Sequence, residues 1–464
     1  MTRRGLTRRA ALAGLAAVPA GWALDRGTWG LARPASPPDL EELARIFRTA
    51  QREAVLDRAV DAMRAGAGLG TVLGATFLAG IQEVRPRHVG GKLHCVMVIE
   101  SAFQLAAVTD ERSAGQLALW CLDDFKRSQA LDEGEGDWTL PPRPEVAFAT
   151  EAEARREFEA AMERWDEAMA DRALVGLLPF HTQDSLFEIL WPYAARSYVN
   201  LGHKIIFAAQ TDRTLRRIGW AHAEPVLRSL VYGLLHQPDG RQMDAWNRSL
   251  ALQPARAAQG EQRVAAPQTS AALLKDWRAR DAQELPNAAA AALGEGADSA
   301  AAWDALRLLA AEVFLARRSS RPAQDVGALL PVHAVTVVNA FGHAARRTQS
   351  ATASRLMFLQ AAGWLPQLRA DLIGMAGLRR DGPRIDNGER PVPDVATLVR
   401  ELALKGVEHH QHKYAAAILD EHRVADPLWA PLLLTGALPY LPGEQDEPTD
   451  IGARAERALK KLGS

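Results

Sequence analysis

The chain of 464 residues carries 55 Lys and Arg against 56 Asp and Glu. Because these charges nearly balance, the chain has no overall electrostatic field that would attract nucleic acid or an acidic membrane. Apolar residues make up 48% of the chain and aromatic residues 6%, with Ala and Leu dominant, which favours helices over sheets. The two cysteines, Cys95 and Cys121, are too few for a disulfide-rich scaffold, and the lack of CxxC and CxxCH spacings argues against a zinc ribbon or a c-type haem. In an oxidising compartment they either pair or stay free and buried.

The N-terminus has the composition of an export signal. Basic pairs at Arg3-Arg4 and Arg8-Arg9 precede an apolar stretch over residues 10–24. This stretch is shorter than the roughly 20 apolar residues of a transmembrane helix. The pattern therefore predicts a signal peptide, with no integral membrane segment after its removal.

The second basic pair favours one export route. Thr7-Arg8-Arg9 with Leu12 behind it resembles a twin-arginine signal, whose machinery exports proteins that are already folded, often around a cofactor. An ordinary Sec signal or a basic tail is the alternative. We predict a twin-arginine-type signal peptide over residues 1–35, followed by a periplasmic or secreted domain over residues 36–464.

The rest of the chain has the apolar spacing of helices. Apolar residues recur at intervals of three and four over residues 37–66, 151–178, 214–235 and 354–377. Period-two runs are scarce, and "HCVMVIES" from His94, which is β-branched enough for a strand, is continued by helix formers. We therefore predict an all-α fold, a single helical-bundle domain with a buried histidine-rich core.

Three segments interrupt the helical pattern. Residues 253–272 and 286–302 are rich in Ala, Gly and Gln and are interpreted as loops or weak helices, while residues 379–394 form a long polar loop with several turn dipeptides. None of the three separates regions of different composition, so the prediction remains one metal-binding helical domain.

An internal similarity links two of the apolar segments. "HCVMVIESAFQLAA" begins at His94 and "HAVTVVNAFGHAA" begins at His333, and each is followed by a Leu-rich helix. Two related helical hairpins would each present a histidine at a matching place. Chance similarity between Ala- and Val-rich helices is the alternative.

Most familiar catalytic motifs are missing, and the histidines provide the main chemical signal. No HExxH, ferritin-type Glu-x-x-His, GxSxG or Walker A motif occurs. Four histidines instead stand in apolar or Gly-marked settings far apart in sequence: His94, His203, His333 and His410. Helices that meet in a bundle can bring such residues together, and imidazole suits iron, zinc and copper. The alternative is that each is an ordinary histidine of the core.

The stretch "GVEHHQHKYAAAILDEH" adds a lysine to this pattern. His410 and Lys413 are three residues apart, so they share a helix face. A desolvated lysine loses its proton more easily, and the neutral amine can add carbon dioxide to give a carbamate, which is an oxygen ligand for a metal. A lysine that extends to solvent is the alternative. His409 and His412 point elsewhere on the helix and are expected either to be solvated or to contact the ligands without binding the metal themselves.

The segment "GWAHAEPVLRS" contains two further candidates. His222 is interpreted as a possible additional metal ligand, and Glu224 as an acceptor that fixes the tautomer of a ligand histidine. Glu224 and Arg228 are four residues apart, so a simple ion pair on a helix is the alternative.

The order of these blocks resembles the questin oxidase-like family, in a remote, exported bacterial branch. The resemblance rests on an early histidine block, a middle histidine with apolar neighbours, "HAVT" (His333–Thr336) and His-x-x-Lys, scattered over residues 80–425. It implies a helical enzyme of oxidative polyketide anthraquinone breakdown, with metal-ligand roles for the four histidines and a matching position for Lys413. The chain departs from the family where Val199 stands four residues before His203, since the family usually has a second histidine there.

These observations predict a metal-dependent oxygenase or oxidoreductase of the non-haem iron type. We expect iron, or alternatively zinc, bound by the four histidines with Lys413 and His222, and catalytic roles for Lys413 and Glu224. The expected partner is a small organic substrate, which is aromatic and polyketide-like if the resemblance holds, with no nucleic acid partner. A zinc-dependent hydrolase and a non-catalytic helical binding protein are the alternatives.

Overall fold

The computed structural model describes residues 39–86, 91–236, 242–252, 269–317, 329–380, 382–385 and 394–463. The predicted signal peptide lies outside these residues, as does most of the predicted loop over residues 253–272. The described part contains twenty α-helices and no strand, which confirms the predicted all-α fold. One continuous hydrophobic core runs from Leu43 in the first helix to Leu459 in the last.

The helices of the described residues are short to medium in length and are numbered here in chain order. They are α1 Leu40–Thr49, α2 Arg52–Arg64, α3 Leu69–Glu83, α4 His94–Ala106, α5 Glu111–Gly134, α6 Glu151–Arg164, α7 Glu167–Leu177, α8 Gln183–Ala195, α9 Val199–Ile218, α10 Ala223–Leu234, α11 Gln242–Ala251, α12 Ser270–Trp277, α13 Glu284–Gly294, α14 Ser299–Leu315, α15 Val332–Arg347, α16 Ala351–Met375, α17 Val395–Lys405, α18 His409–Val424, α19 Ala430–Ala437 and α20 Asp450–Lys460.

Local sequence explains where many of these helices begin. Asp39, Asp110 and Thr150 each accept a hydrogen bond from a backbone N–H in the first turn of α1, α5 and α6, respectively. Such side chains satisfy amide groups that a helix leaves unpaired at its start, and each contributes about 1 kcal/mol.

Two of the ambiguous segments are helical. The "HCVMVIES" run lies in α4, in which all thirteen residues are buried, so the helical interpretation is confirmed. Residues 286–302, interpreted as loops or weak helices, lie mostly within α13 and the start of α14. Alanine has the highest helix propensity, and Asp298 caps α14, which together explain the helical outcome.

Four helices form the centre of the fold, and we refer to α4, α9, α15 and α18 as the central helices. α4 packs against α9 and α18, and α15 packs against the same two, so the four close a ring. α4 and α15 each also pack against the helix that follows, α5 and α16. The two predicted hairpins are therefore present, and both contribute to the ring.

Two further features bear on the predictions. Cys95 and Cys121 are both buried and free, so they do not form a disulfide. Among the described residues, no helix combines the length and the apolar character needed to cross a membrane.

Candidate metal centre

Each central helix contributes one histidine close to its N-terminal end. His94 is the first residue of α4, whereas His333 and His410 are the second residues of α15 and α18. His203 stands in α9 directly after a left-handed turn. All four imidazoles are buried, and their candidate ligand atoms lie within 4.8 Å of one another, so this four-histidine group can hold a metal ion.

The closest contacts in the group are between ring nitrogens. The Nε2 atoms of His94 and His203 are 2.9 Å apart, and those of His333 and His203 are 3.2 Å apart. The ring centroids of His94 and His410 are 4.4 Å apart. Two nitrogens bound to one ion at about 2.1 Å lie about 3.0 Å apart at a right angle and about 3.4 Å apart in a tetrahedron. The two observed nitrogen separations match that range.

The backbone determines which ring nitrogen faces the centre. The Nδ1 atoms of His94, His203 and His333 each contact the carbonyl oxygen three residues earlier, at Gly91, Asn200 and Leu330, respectively. A carbonyl oxygen only accepts hydrogen bonds, so each Nδ1 carries the proton and donates it. The opposite nitrogen, Nε2, is then left with a lone pair, the form in which a neutral imidazole binds a metal.

Glu408 orients the fourth histidine. Its carboxylate caps α18 by accepting from the backbone N–H of His410 and of Gln411, and Oε2 also accepts the Nδ1–H of His410 at 2.6 Å. The hydroxyl of Tyr440 donates to its other oxygen. Burial raises the pKa of this carboxyl group. His410 Nε2 is buried with no hydrogen-bond partner, so it too presents a lone pair.

Protonation does not explain the short contacts between the histidines. Burial is the largest factor lowering the pKa of all four imidazoles, and it lowers the pKa of His333 to about 3. At neutral pH the rings are therefore uncharged, and Nε2 lone pairs face one another at contact distance. A cation between them removes this repulsion, so the donor set fits a metal ion.

A left-handed turn positions His203. Asn200, Leu201 and Gly202 have positive φ angles of 49°, 58° and 77°, so α9 is interrupted just before the histidine. A Cβ at Gly202 would lie 2.8 Å from the Cγ2 atom of Val337. Both the backbone conformation and the close approach of α15 therefore require glycine.

We expect Gly202→Ala to destabilise the protein by about 1–3 kcal/mol, because alanine is strained at this φ and also meets Val337. Gly374→Ala is the matched control, since its added methyl group meets nothing within 4 Å in α16 and is expected to be neutral or slightly stabilising. Urea denaturation of both variants measures the difference. Equal stabilities for the two variants would contradict this account of the turn.

Lys413 lies beside the group, one turn beyond His410. It is 3% exposed, and its Nζ is buried with no hydrogen-bond partner. Burial lowers the pKa of this amine to about 7. The side chain therefore does not extend to solvent, and the alternative of a solvent-exposed lysine is wrong. With this pKa, a substantial fraction of the amine is uncharged at neutral pH.

The two remaining histidines of the segment differ from each other. His409 is partly exposed, and its ring stacks on that of His94 with centroids 4.1 Å apart, so it lies against a member of the group. His412 is fully buried against Trp120, with ring centroids 4.2 Å apart. The expectation that His412 is solvated is therefore wrong, because its ring is buried against Trp120 of α5.

The other two predicted site residues do not lie in the four-histidine group. His222 ends a short 3₁₀ segment, and its Nδ1 is 3.3 Å from a carboxylate oxygen of Glu41. Glu224 forms ion pairs with Arg143 and Arg228, as expected for the simple alternative at a spacing of four. Within the described residues, neither is part of a grouping that can hold a metal.

The supporting groups of the site were not predicted. Glu408 has only a weak sequence signal, because the acidic residue that commonly caps a helix is Asp, although the carboxylate of Glu408 caps α18 here. The accepting carbonyl groups have no such signal, since every residue carries a carbonyl. The two similar segments do share this geometry in the structure, because the Nδ1 atoms of His94 and His333 both contact the carbonyl oxygen three residues earlier.

Comparison of the chain with protein-family models, with curated proteins and with solved structures gave no match. The resemblance to the questin oxidase-like family therefore stays a prediction. The geometry of the described residues is the basis for any functional conclusion.

Proposed function

We propose that the protein is a metal-dependent oxygenase of the non-haem iron type, which binds one ion through His94, His203, His333 and His410 and acts on a small organic substrate. The observation that supports this most strongly is the convergence of four buried lone pairs, each fixed in direction by an acceptor on the opposite nitrogen. Such outer contacts orient ligands and raise their basicity in metalloproteins.

The number of histidines favours iron over zinc for a catalytic role. Zinc in proteins is almost always four-coordinate in structural sites, and catalytic zinc keeps one of its positions for water, with three protein ligands. Four histidines would close a tetrahedral zinc site. An ion that accepts five or six ligands, such as iron, retains positions for dioxygen and substrate.

The charge around the site favours an anionic further ligand. The four imidazoles are neutral, so they leave the charge of a divalent ion uncompensated. Three of the central helices begin at or next to their histidine, and helix N-termini carry partial positive charge. A carbamate on Lys413 would provide an anionic oxygen at the place where the unpartnered amine now lies.

The resemblance to the questin oxidase-like family supports an aromatic, polyketide-like substrate within this proposal. Glu224 and His222 are not needed for it, since both have ion-pair partners elsewhere.

Elemental analysis of untagged protein, followed by electron paramagnetic resonance of the ferrous protein treated with nitric oxide, tests the assignment. We expect one iron per chain and a ferrous–nitrosyl signal, because iron retains open positions. His203→Ala is the control and is expected to give neither. One zinc per chain without iron would replace the proposal with a zinc site, and protein without metal would favour a non-catalytic binding protein.

We also propose that the chain is exported to the periplasm or beyond by the twin-arginine machinery. Replacing Arg8 and Arg9 by lysine is expected to abolish this export, because the machinery reads the arginine pair before the apolar run. Fractionation of cells that express the full chain measures the result. The double replacement at Arg3 and Arg4 is the matched control, and an undiminished periplasmic pool in the Arg8/Arg9 variant would contradict the route.

A further inference from the structure

A cavity away from the four-histidine group is lined mainly by cations, and we call it the arginine cavity. It has a volume of about 150 Å³ and lies between the C-terminal part of α14, α16 and residues 378–384. Its described lining contains one acidic residue, Glu312, and five arginines. The arginines are Arg278, Arg369, Arg379, Arg380 and Arg384. The polar loop predicted over residues 379–394 therefore contributes three of the five cations.

The acidic residue of this lining is already paired. Arg278 donates from Nε to Oε2 of Glu312 at 3.0 Å and from Nη2 to Oε1 at 2.5 Å. The backbone N–H of Ile385 also donates to Oε1 of Glu312, at 2.8 Å. Glu312 thus neutralises Arg278 and ties the loop to α14. Within the described residues, the other four arginines of the lining have no ion pair with a carboxylate.

Backbone carbonyl groups hold two of these four guanidinium groups in place without neutralising them. Arg369 donates to the carbonyl groups of Arg278 and Arg280, at 2.8 Å in the second case. Arg379 donates from Nη2 to the carbonyl oxygen of Leu315 at 3.1 Å. An arginine has five N–H donors, so each keeps donors for a ligand. Burial lowers the pKa of Arg369 more than the charge of Glu312 raises it.

A further guanidinium group adds to the positive charge beside the lining. Arg317 directly follows Ala316 of the lining and is 8% exposed. Its Nε atom is buried and has no hydrogen-bond partner. Burial is the largest factor that lowers the pKa of Arg317, and the charge of Arg379 lowers it further. An anion in the arginine cavity would reduce this repulsion between like charges.

The type of cation and the size of the cavity indicate the kind of anion. The cations of the lining are all arginines, whose planar fork of N–H groups matches the oxygens of phosphate in pairs. The volume of about 150 Å³ is smaller than the roughly 300–1,000 Å³ of pockets that enclose drug-sized molecules. A small anion with several oxygens fits this lining better than a large organic molecule.

We propose that the arginine cavity binds a phosphate group, either as inorganic phosphate or as part of a small phosphorylated molecule. Arg369 and Arg379, which are fixed by carbonyl groups, provide donors whose positions are set before the ligand arrives. Arg380 and Arg384 are exposed, so their side chains can turn onto the ligand. None of these residues belongs to the four-histidine group, and the site is therefore independent of the proposed metal.

Isothermal titration calorimetry of the full chain with inorganic phosphate and with glucose 6-phosphate tests the proposal. The buffer contains about 0.15 M sodium chloride, which screens exposed charges beyond roughly 8 Å. We expect saturable binding of one ligand per chain. Equal or tighter binding of inorganic phosphate would identify the free anion as the ligand, whereas tighter binding of glucose 6-phosphate would identify a phosphorylated molecule.

Two replacements of exposed residues locate the site. Arg380→Gln and Arg384→Gln are each expected to weaken binding at least about fivefold, because each removes a charged donor to the phosphate oxygens. Both side chains are exposed, so the circular dichroism spectrum should not change. Arg58→Gln is the matched control, since Arg58 is an exposed arginine of α2 outside the lining, and it should keep the affinity of the unaltered protein.

Two results would overturn the proposal. One is the absence of saturable binding of either ligand to the unaltered protein. The other is an unchanged affinity in both Arg380→Gln and Arg384→Gln, which would place the bound phosphate elsewhere. Neither result bears on the four-histidine group, whose metal content is measured separately.

Discussion

His203→Ala is expected to lower metal affinity by more than about 100-fold, which exceeds the effect of losing a hydrogen-bond partner outside the ligand set. His203 makes both of the closest nitrogen contacts in the group, at 2.9 and 3.2 Å, so its loss opens the centre of the site. Equilibrium dialysis with ferrous iron, followed by elemental analysis, measures the change.

The same replacement at His94, His333 or His410 is expected to act in the same direction. His222→Ala is the control, because His222 lies beside Glu41 and not in the group. It should retain the affinity of the unaltered protein. A larger loss in His222→Ala than in His203→Ala would show that the ion lies elsewhere.

Lys413→Arg is expected to abolish activity and to weaken metal binding by at least about tenfold. Arginine stays charged and cannot form the lysine carbamate, so it would place a buried cation next to the ion. A buried charge without a partner is strongly unfavourable. The Nζ of Lys413 has no hydrogen-bond partner, so no acceptor is already in place there for the charge of an arginine.

Two more replacements at Lys413 separate charge from ligation. Lys413→Glu provides a carboxylate on a shorter arm and is expected to restore part of the metal affinity. Lys413→Met is neutral, so it should bind metal better than Lys413→Arg but less tightly than the unaltered protein. Metal affinity and turnover in Lys413→Arg equal to those of the unaltered protein would remove Lys413 from the site.

The sequence alone was sufficient to predict the fold class and the members of the group. Helix periodicity is a local property, so apolar spacing over residues 37–66 or 354–377 predicts helices without knowledge of their neighbours. The four histidines could be selected because each stands in an apolar or Gly-marked setting. The spacing of His410 and Lys413 likewise placed both on one face of α18.

Some local predictions did not extend to the tertiary structure. His412 belongs to the same histidine-rich segment as His410, but it packs against Trp120, because successive residues of a helix face different neighbours. His222 stands in a setting similar to that of the other candidates, and only the position of α1 pairs it with Glu41. Sequence spacing states which side chains share a face, but not what that face contacts.

The convergence itself was decided by packing. His94 and His203 are 109 positions apart, and His203 and His333 are 130 apart, so no short-range rule relates their side chains. The left-handed turn at Asn200–Gly202 and the carbonyl groups of Gly91, Asn200 and Leu330 fix the directions of the rings. Every residue carries a carbonyl group, so these acceptors have no signal of their own in the sequence. The sequence therefore determined which helices form and which residues are available as ligands. The packing of the four central helices decided that the Nε2 lone pairs meet, because only burial and fixed acceptors keep four neutral imidazoles directed at one point.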